Sequence, residues 1–387
     1  MDKLKVMTIL GTRPEIIRLS QVMKACDEYF NHIVVHTGQN YDYRLNEIFF
    51  KELGLREPDY YLSCAGEDLG ETIGNIIAKS YKLMCTLKPD AVLVLGDTNS
   101  SLAVISAKRL KIPIFHMEAG NRCWDWNVPE MINRKIVDHV ADINLPYTEH
   151  ARRYLLSEGL DGKNIFVTGS PMREVLDAYS EGIDASSILD RLNLKQGEYI
   201  LLSAHREENL DFEENFRSLM EAVNMIAEDY QVPVIYSVHP RSRKRIEERQ
   251  FQFHPLVRQM EPFGFLDYNK LQKYALCVLS DSGTLSEESA ILGFPGVLIR
   301  TSTERPEVLD KGSMVIGGIT GDAILRALRM AVSMKENNKR TTMPADFNNN
   351  ISKLPFNYQD SNVSDKVVKI IQSYTDIVNR VVWRSQR

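Results

Sequence analysis

The chain has 387 residues, enough for two ordinary domains, and its 43% hydrophobic and 26% charged content is that of a soluble globular protein rather than a disordered or membrane-spanning one. A net charge of −5 argues against a nucleic-acid surface, while leaving room for a local basic lining around a small anion. The five scattered cysteines form no CxxC pair or Cys/His cluster, so free thiols in a reducing, cytoplasmic setting are expected, and the apolar run Val6–Leu10 is too short for an export signal.

In chain order, Lys5–Leu10, His32–His36, Ala91–Leu95, Pro113–Met117, Asp142–Pro146 and Ile165–Thr168 are short apolar runs between amphipathic stretches, the pattern of buried parallel strands in βα units. The pattern restarts with Tyr199–Ser203, Val234–His239, Leu276–Ser280 and Gly296–Ile299, separated by helical stretches such as Phe212–Asp229 and Leu285–Leu292. The fold class is therefore α/β with two Rossmann-like domains. Gly169-Ser170-Pro171 is the expected hinge, giving domains over 1–172 and 173–361. A polar, irregular stretch, Asn337–Asp360, precedes the tail 362–387, where apolar residues three or four apart predict a helix from Asn362 to Trp383.

In such sheets ligands bind at the carboxyl ends of strands, near helix N-termini that attract phosphate. The first such turn is Gly11-Thr12-Arg13-Pro14-Glu15, where Thr12 and Glu15 fit a capping box and Pro14 the first helical turn. Arg13 has no such structural reason, and a cation at a positive dipole end calls for an anion or a partner carboxylate. A later turn, Asp281–Glu288, repeats the logic with Thr284 and Glu287 as a capping box. Ser282 and Gly283 there offer a hydroxyl and a backbone open to a phosphate. Glu288 is left over, either an exposed helix glutamate or an acceptor for two ribose hydroxyls.

Three carboxylates stand at or just after strand ends: Asp97, Glu118 and Glu130. Asp97 also fits a cap for a helix near Asn99, and Glu130 fits the first turn after Pro129. Glu118, between an apolar strand and Ala119-Gly120, is a charge at a sheet edge that calls for a purpose. His205, followed by Arg206, and His239, followed by Arg241 and Arg243, close two strands of the second domain as proton carriers, diphosphate contacts or plain strand-end histidines. No HExxH motif or other metal-ligand spacing occurs, and neither domain opens with GxGxxG.

Eight motifs in order, GTRPE (11–15), LGDTNS (95–100), HMEAGNR (116–122), PEMINRK (129–135), DHVADINLPYTEHAR (138–152), SAHREEN (203–209), SDSGTLSEE (280–288) and TERPE (303–307), resemble the bacterial non-hydrolysing UDP-N-acetylglucosamine 2-epimerase family. The variants AGNRC and AHREEN and the tail SYTDIVNRVVW are more similar to a branch that makes UDP-N-acetyl-L-fucosamine from UDP-2-acetamido-2,6-dideoxy-L-talose in capsule and O-antigen (lipopolysaccharide) synthesis. The resemblance implies a GT-B-like pair of domains with a cleft between them, a C-terminal helix crossing back over the first domain, and a homodimer. It implies a UDP-sugar as substrate, no cofactor and no metal, no nucleic-acid or membrane partner, and elimination of UDP to a 2-acetamidoglycal followed by re-addition. Carried onto this sequence, Asp97, Glu118 and Glu130 match the acid/base carboxylates, and Arg13 and His205 the catalytic or diphosphate-contacting pair. Ser282, Gly283 and Glu288 match the UDP contacts, with Arg18 and Arg206 as further substrate contacts.

The sequence departs from the common family pattern at Gly38-Gln39-Asn40-Tyr41 and at His205-Arg206-Glu207-Glu208, which puts an allosteric UDP-sugar site in doubt. Arg18 also replaces the usual lysine, and Thr284 the usual second glycine. Between Glu118 and Glu130, the segment Asn121–Asn127 holds Trp124 and Trp126, which either wall an apolar edge of the sugar or pack the loop. The competing readings are a UDP-N-acetylglucosamine/UDP-N-acetylmannosamine 2-epimerase, a hydrolysing 2-epimerase, a GT-B glycosyltransferase and a non-catalytic UDP-sugar sensor.

Overall fold

The structure, a computed structural model, describes residues 3–38, 43–126, 128–341 and 354–384. It divides into two compact units, Met1–Ala178 with Phe356–Arg387, and Tyr179–Pro355.

The first unit is built on six parallel strands, β1 (Lys5–Leu10), β2 (Asn31–His36), β3 (Tyr60–Tyr61), β4 (Ala91–Leu95), β5 (Ile114–Met117) and β6 (Ile143–Leu145), in the order β3-β2-β1-β4-β5-β6. The second has β7 (Ile200–Ser203), β8 (Val234–Ser237), β9 (Val257–Met260), β10 (Cys277–Ser280), β11 (Gly296–Leu298) and β12 (Val315–Ile316), in the order β12-β11-β10-β7-β8-β9. Both are doubly wound sheets. The strand order reverses between β1 and β4 and between β7 and β10, and the crevices for ligands open there. In register, Leu95 lies beside Met117 and Ser280 beside Ser203, which brings the turns after neighbouring strands to one edge.

Helices cover both faces, which is why the central strands read as unbroken apolar runs. Met7, Ile9, Val92, Val94 and Ile114 are buried in one core, and Leu202, Tyr236, Leu279 and Val297 in the other, packed against Phe216 and Val223 of the Glu213–Tyr230 helix. The expected strand Ile165–Thr168 is reduced to one bridge between Ile165 and Asn144. β3, β9 and β12 were not expected. Two span only two residues each, and β9, Val-Arg-Gln-Met, is a half-exposed edge with a polar pattern.

The helix Val363–Val381 packs on the Arg13–Tyr29 helix, and Lys366 Nζ donates to Thr168 O at 2.9 Å. The units divide six residues beyond 172 because the helix Met172–Ala178 also packs on Arg13–Tyr29. The chain rejoins the first unit at Phe356, where Ser170 N donates to Asn357 O at 2.9 Å and Tyr358 is buried. Part of the stretch expected to be irregular, Asn337–Thr341, is instead the end of the helix Gly321–Thr341, and residues 342–353 lie outside the described residues, as do Gln39, Asn40 and Tyr41. Among the described residues no helix is long and apolar enough to cross a membrane.

Candidate active site

At the first switch point the turns after β1, β4 and β5 meet. Gly11 is required for space, since a Cβ there would lie 2.1 Å from Thr37 Oγ1 and 2.3 Å from Ser100 Oγ. Thr12 holds the N-cap position and Pro14 the first turn, but the Thr12 hydroxyl does not cap; it donates to Glu15 Oε2 at 2.8 Å. The Arg13 guanidinium lies over the Phe49 ring, 5.5 Å from its centroid.

Arg18, one turn further along the Arg13–Tyr29 helix, is buried and pairs with Glu118 Oε2. Arg134, from the helix Pro129–Val140, reaches the other oxygen of Glu118 at 3.3 Å, donates to the Glu118 carbonyl at 2.6 Å and pairs with the Asp97 carboxylate. Asp97 is not a cap, because Thr98 takes that position for the turn Asn99–Ala103. Thus Arg18, Asp97 and Glu118 come together around Arg134. Two buried guanidiniums flank one buried carboxylate, an arrangement that is tolerable only because every charge is paired. Glu118 adopts φ +61°, in the left-handed region that favours glycine, a strain of roughly 1–3 kcal/mol that packing must hold. Glu130 precedes Arg134 by four residues, so the two share one helix face.

A second buried layer backs this cluster. His116 Nε2 lies 2.8 Å from Gly96 O, and Nδ1 lies 3.0 Å from Asp138 Oδ1, at ion-pair distance though not aligned as a hydrogen bond. Asp138 also accepts the Gly120 N–H at 3.1 Å and pairs with Arg122 at 2.7 Å, which pairs in turn with Glu158 at 2.6 Å. Burial pushes the Asp138 carboxyl up, but His116 and Arg122 outweigh it and hold the group below the ordinary range. Hydrogen bonding to Arg122 brings Glu158 down to about 2. Trp124 and Trp126 are exposed and flank Lys135, whose Nζ is 5.8 and 4.8 Å from their rings; Trp124 also meets Tyr154 edge-on at 5.5 Å. Lys135 is about 100° round the helix from Arg134. These contacts are those of loop packing and lend no support to an aromatic wall for the sugar.

At the second switch point His205 and Arg206 follow β7, and Asp281 and Ser282 follow β10. Asp281 is wholly buried, and its Oδ2 accepts the backbone N–H groups of His205 (2.8 Å) and Arg206 (2.9 Å) and the Asn209 amide (3.0 Å). Its Oδ1 faces His205 Nδ1 at 3.3 Å, again at ion-pair distance without hydrogen-bond alignment. The Arg206 side chain donates back to Asp281 O at 2.9 Å, and the His205 ring lies 5.4 Å from that of His239. One aspartate thus fixes the loop that carries the histidine and places a carboxylate oxygen beside its ring.

The helix Thr284–Leu292 begins after Gly283, so Thr284 lies inside it and the expected capping box does not form. Glu287 is instead buried and paired with Arg305 at 3.3 Å. Ser282 and Thr284 share a hydroxyl hydrogen bond of 2.9 Å. Gly283 has φ −63°, and a Cβ built on it would meet nothing within 4 Å. Neither backbone nor packing demands glycine there, and the space beside the helix N-terminus is open. Glu288 is buried rather than exposed, and accepts from Gln272 Nε2 at 2.6 Å. Residue-by-residue reading assigned no role to Arg134 or Asp281. Their signals were the Glu130-to-Arg134 spacing of four and a carboxylate directly after β10.

Two doubly wound units, one ending in a cross-paired cluster of acids and arginines and the other in a histidine beside a buried aspartate and an open helix N-terminus, define a two-domain α/β enzyme of the GT-B-like kind. Residues 24–372 match the family model described as UDP-N-acetylglucosamine 2-epimerase. The chain is 35% identical to the UDP-N-acetylglucosamine 2-epimerase of Methanocaldococcus jannaschii over 346 residues, 86% of this chain and 94% of that one. The crystal structure of that enzyme in complex with UDP-GlcNAc and UDP superposes with a TM-score of 0.86, at 32% identity over 96% of this chain and 100% of that one. A UDP-2,3-diacetamido-2,3-dideoxy-D-glucuronate 2-epimerase of Pseudomonas aeruginosa is 35% identical over 85% of this chain and 92% of that one. The structure of a UDP-N-acetylglucosamine 2-epimerase from Rickettsia bellii gives a TM-score of 0.88 and 45% identity, covering 99% of this chain and 100% of that one. The chain belongs to the non-hydrolysing UDP-N-acetylglucosamine 2-epimerase family, and is an isomerase acting on a UDP-sugar.

Proposed function

We propose that the chain inverts carbon 2 of UDP-2-acetamido-2,6-dideoxy-L-talose to give UDP-N-acetyl-L-fucosamine, with Asp97, Glu118, Glu130, Arg13 and His205 as its catalytic groups. The observation that carries the epimerase chemistry is the strained, buried Glu118 set between Arg18 and Arg134 and linked through Arg134 to Asp97. The proton on carbon 2 has no neighbouring carbonyl, so it becomes removable only as the carbon 1–oxygen bond breaks and positive charge grows at carbon 1. The bonding pair leaves on UDP, a carboxylate takes the proton, and a 2-acetamidoglycal remains. Re-addition of UDP at carbon 1 then delivers a proton to the other face of carbon 2. Carboxylates stabilise the cation and move protons. Arg13, Arg18, His205 and Arg206 bind and neutralise the departing diphosphate, with His205 held by Asp281.

In this reading Ser282 and Gly283 receive the phosphates at the Thr284–Leu292 helix N-terminus, and Glu288 receives the ribose hydroxyls. The M. jannaschii complex, which contains UDP-GlcNAc and UDP, supports a UDP-sugar as the ligand. The P. aeruginosa relative acts on a differently substituted UDP-sugar, so this fold and chemistry serve more than one sugar with carbon 2 in common. The 6-deoxy L-sugar rests on AGNRC, AHREEN and the tail motif; UDP-N-acetylglucosamine is the second reading, favoured by the names of several relatives. The enzyme works as a cytoplasmic homodimer that supplies capsule or O-antigen synthesis, with the first unit providing the acid/base groups and the second the UDP contacts.

The deciding experiment is turnover of UDP-linked sugars in deuterated water. Deuterium entering at carbon 2 without free UDP accumulating is the expected result. Release of free sugar and UDP makes it a hydrolase, transfer to an acceptor a glycosyltransferase, and binding without exchange a sensor. Comparing kcat/KM for the 6-deoxy-L-talose and N-acetylglucosamine substrates then tests the sugar, and equal or reversed values overturn the fucosamine reading alone. Sedimentation of the purified chain tests the dimer.

A further inference from the structure

Glu15 has no part in the chemistry above, yet it is 1% exposed and stands between the turns that carry Arg13 and Asp97. Its carboxyl collects donors from both. Oε2 accepts the Gly11 N–H at 3.1 Å and the Thr12 hydroxyl at 2.8 Å, and Oε1 accepts the Thr98 hydroxyl at 3.0 Å. Gly11 and Thr12 follow β1, Thr98 follows β4, and these strands are neighbours at the switch point. A single side chain thus ties the two turns together across the place where the sheet opens.

The charged side chains nearest in the chain turn elsewhere. On its own helix Arg13 lies over Phe49 and Arg18 goes to Glu118, and on the β4 turn Asp97 goes to Arg134. Among the described residues Glu15 thus accepts from Gly11, Thr12 and Thr98 and pairs with no cation, and burial pushes its carboxyl up to about 7, against the pull of those bonds.

We propose that Glu15 is a positioning residue: its ionised carboxylate ties the turn bearing Arg13 to the turn bearing Asp97 by accepting from both, and its protonated form reverses the hydrogen bond on the Asp97 side. Ionised, both oxygens only accept, so Gly11, Thr12 and Thr98 all donate at once. Protonated on Oε1, the carboxyl must itself donate to the Thr98 oxygen, whose own hydrogen has to turn away. The Gly11 N–H cannot invert, so the β1 side keeps its bond and the change falls on Thr98, next to Asp97. The proton is exchanged with water and no covalent bond to substrate is involved. This rests on the epimerase reading for its effect on rate, and not for the ionisation itself.

The test is the pH dependence of kcat and kcat/KM for the full chain, for E15Q and for T98V, together with a carbon-13 titration of the glutamate carboxyls in substrate-free wild type and E15Q. The glutamine accepts from Gly11 and Thr12 and donates to Thr98, which fixes the pattern of the protonated form. The ratio of wild-type to E15Q kcat should widen by about tenfold or more between roughly pH 6 and 8.5. The carboxyl resonance missing from E15Q should titrate near 7, and T98V, having lost a donor to the charged form, should move the limb to higher pH. A ratio that stays constant with pH would reduce Glu15 to a structural strut and overturn the proposal. So would a Glu15 resonance titrating below about 5, or a T98V limb that stays where it was. If no UDP-sugar is turned over at all, the epimerase reading fails, and the carbon titration still decides the ionisation. Should E15Q not fold, T98V turnover and the wild-type titration decide instead.

Discussion

The two switch points share one strand order and end in opposite chemistry. The first closes on itself, with Arg18, Glu118, Arg134 and Asp97 in contact and His116, Asp138 and Arg122 buried behind them. The second presents a serine, a glycine with open space around it, and a histidine whose backbone N–H is held by a buried aspartate. Strand order therefore fixes where a ligand can go, and the turn residues fix what happens to it. In the first, charges are held by other charges. In the second, a hydroxyl and an open stretch of backbone stand at the N-terminus of the Thr284–Leu292 helix, a dipole end that favours an anion.

The sharpest way to break this contrast is Arg134→Ala. It takes the arginine from the half-buried Asp97 carboxylate while buried Glu118 keeps Arg18, so unfolding free energy should fall by about 3 kcal/mol, and turnover should be lost with it. A denaturation curve close to wild type would mean that the cluster is looser than its pairing implies. Next in size, Glu118→Gln should lower kcat by about 100-fold or more while calorimetric UDP affinity hardly changes. Normal turnover would remove Glu118 from the reaction.

Glu15 gives the comparison a pH axis. Its carboxyl is raised to about 7 from an ordinary 4.5, so its contribution to folding is fully present below about pH 4.5 and is lost as the pH rises through about 7. Glu15→Gln should accordingly stabilise the chain against denaturant at pH 8.5 by about 3 kcal/mol, and by much less at pH 5. A stability difference independent of pH would contradict the raised carboxyl. The form proposed to be active is thus the less stable one. The smallest effects are expected in the second unit, where Gly283→Ala should weaken UDP binding by roughly 1–3 kcal/mol and change stability by no more than about 0.5 kcal/mol. A large loss of stability there would show that the glycine serves the fold after all.

The sequence alone determined the βα alternation, the two-domain class and most strand positions, because a strand covered on both faces must be apolar along its whole length and announces itself locally. It also located the turns that carry Arg13, Asp97, Glu118, His205 and Ser282, since a doubly wound sheet presents its ligand sites where strands end. Short or polar edge strands escaped it. Two-residue β3 has no periodicity to read, and β9 owes its place to pairing with β8 rather than to its own residues. Only the tertiary structure decided which charges meet. Arg18 and Glu118 are 100 residues apart, and Asp281 reaches His205 across 76. The capping boxes show the same limit, since the Thr12 hydroxyl turns to Glu15, and Glu287 to Arg305. A side chain's partner is set by the lowest-energy pairing available once the strands are side by side, and local spacing cannot specify that choice.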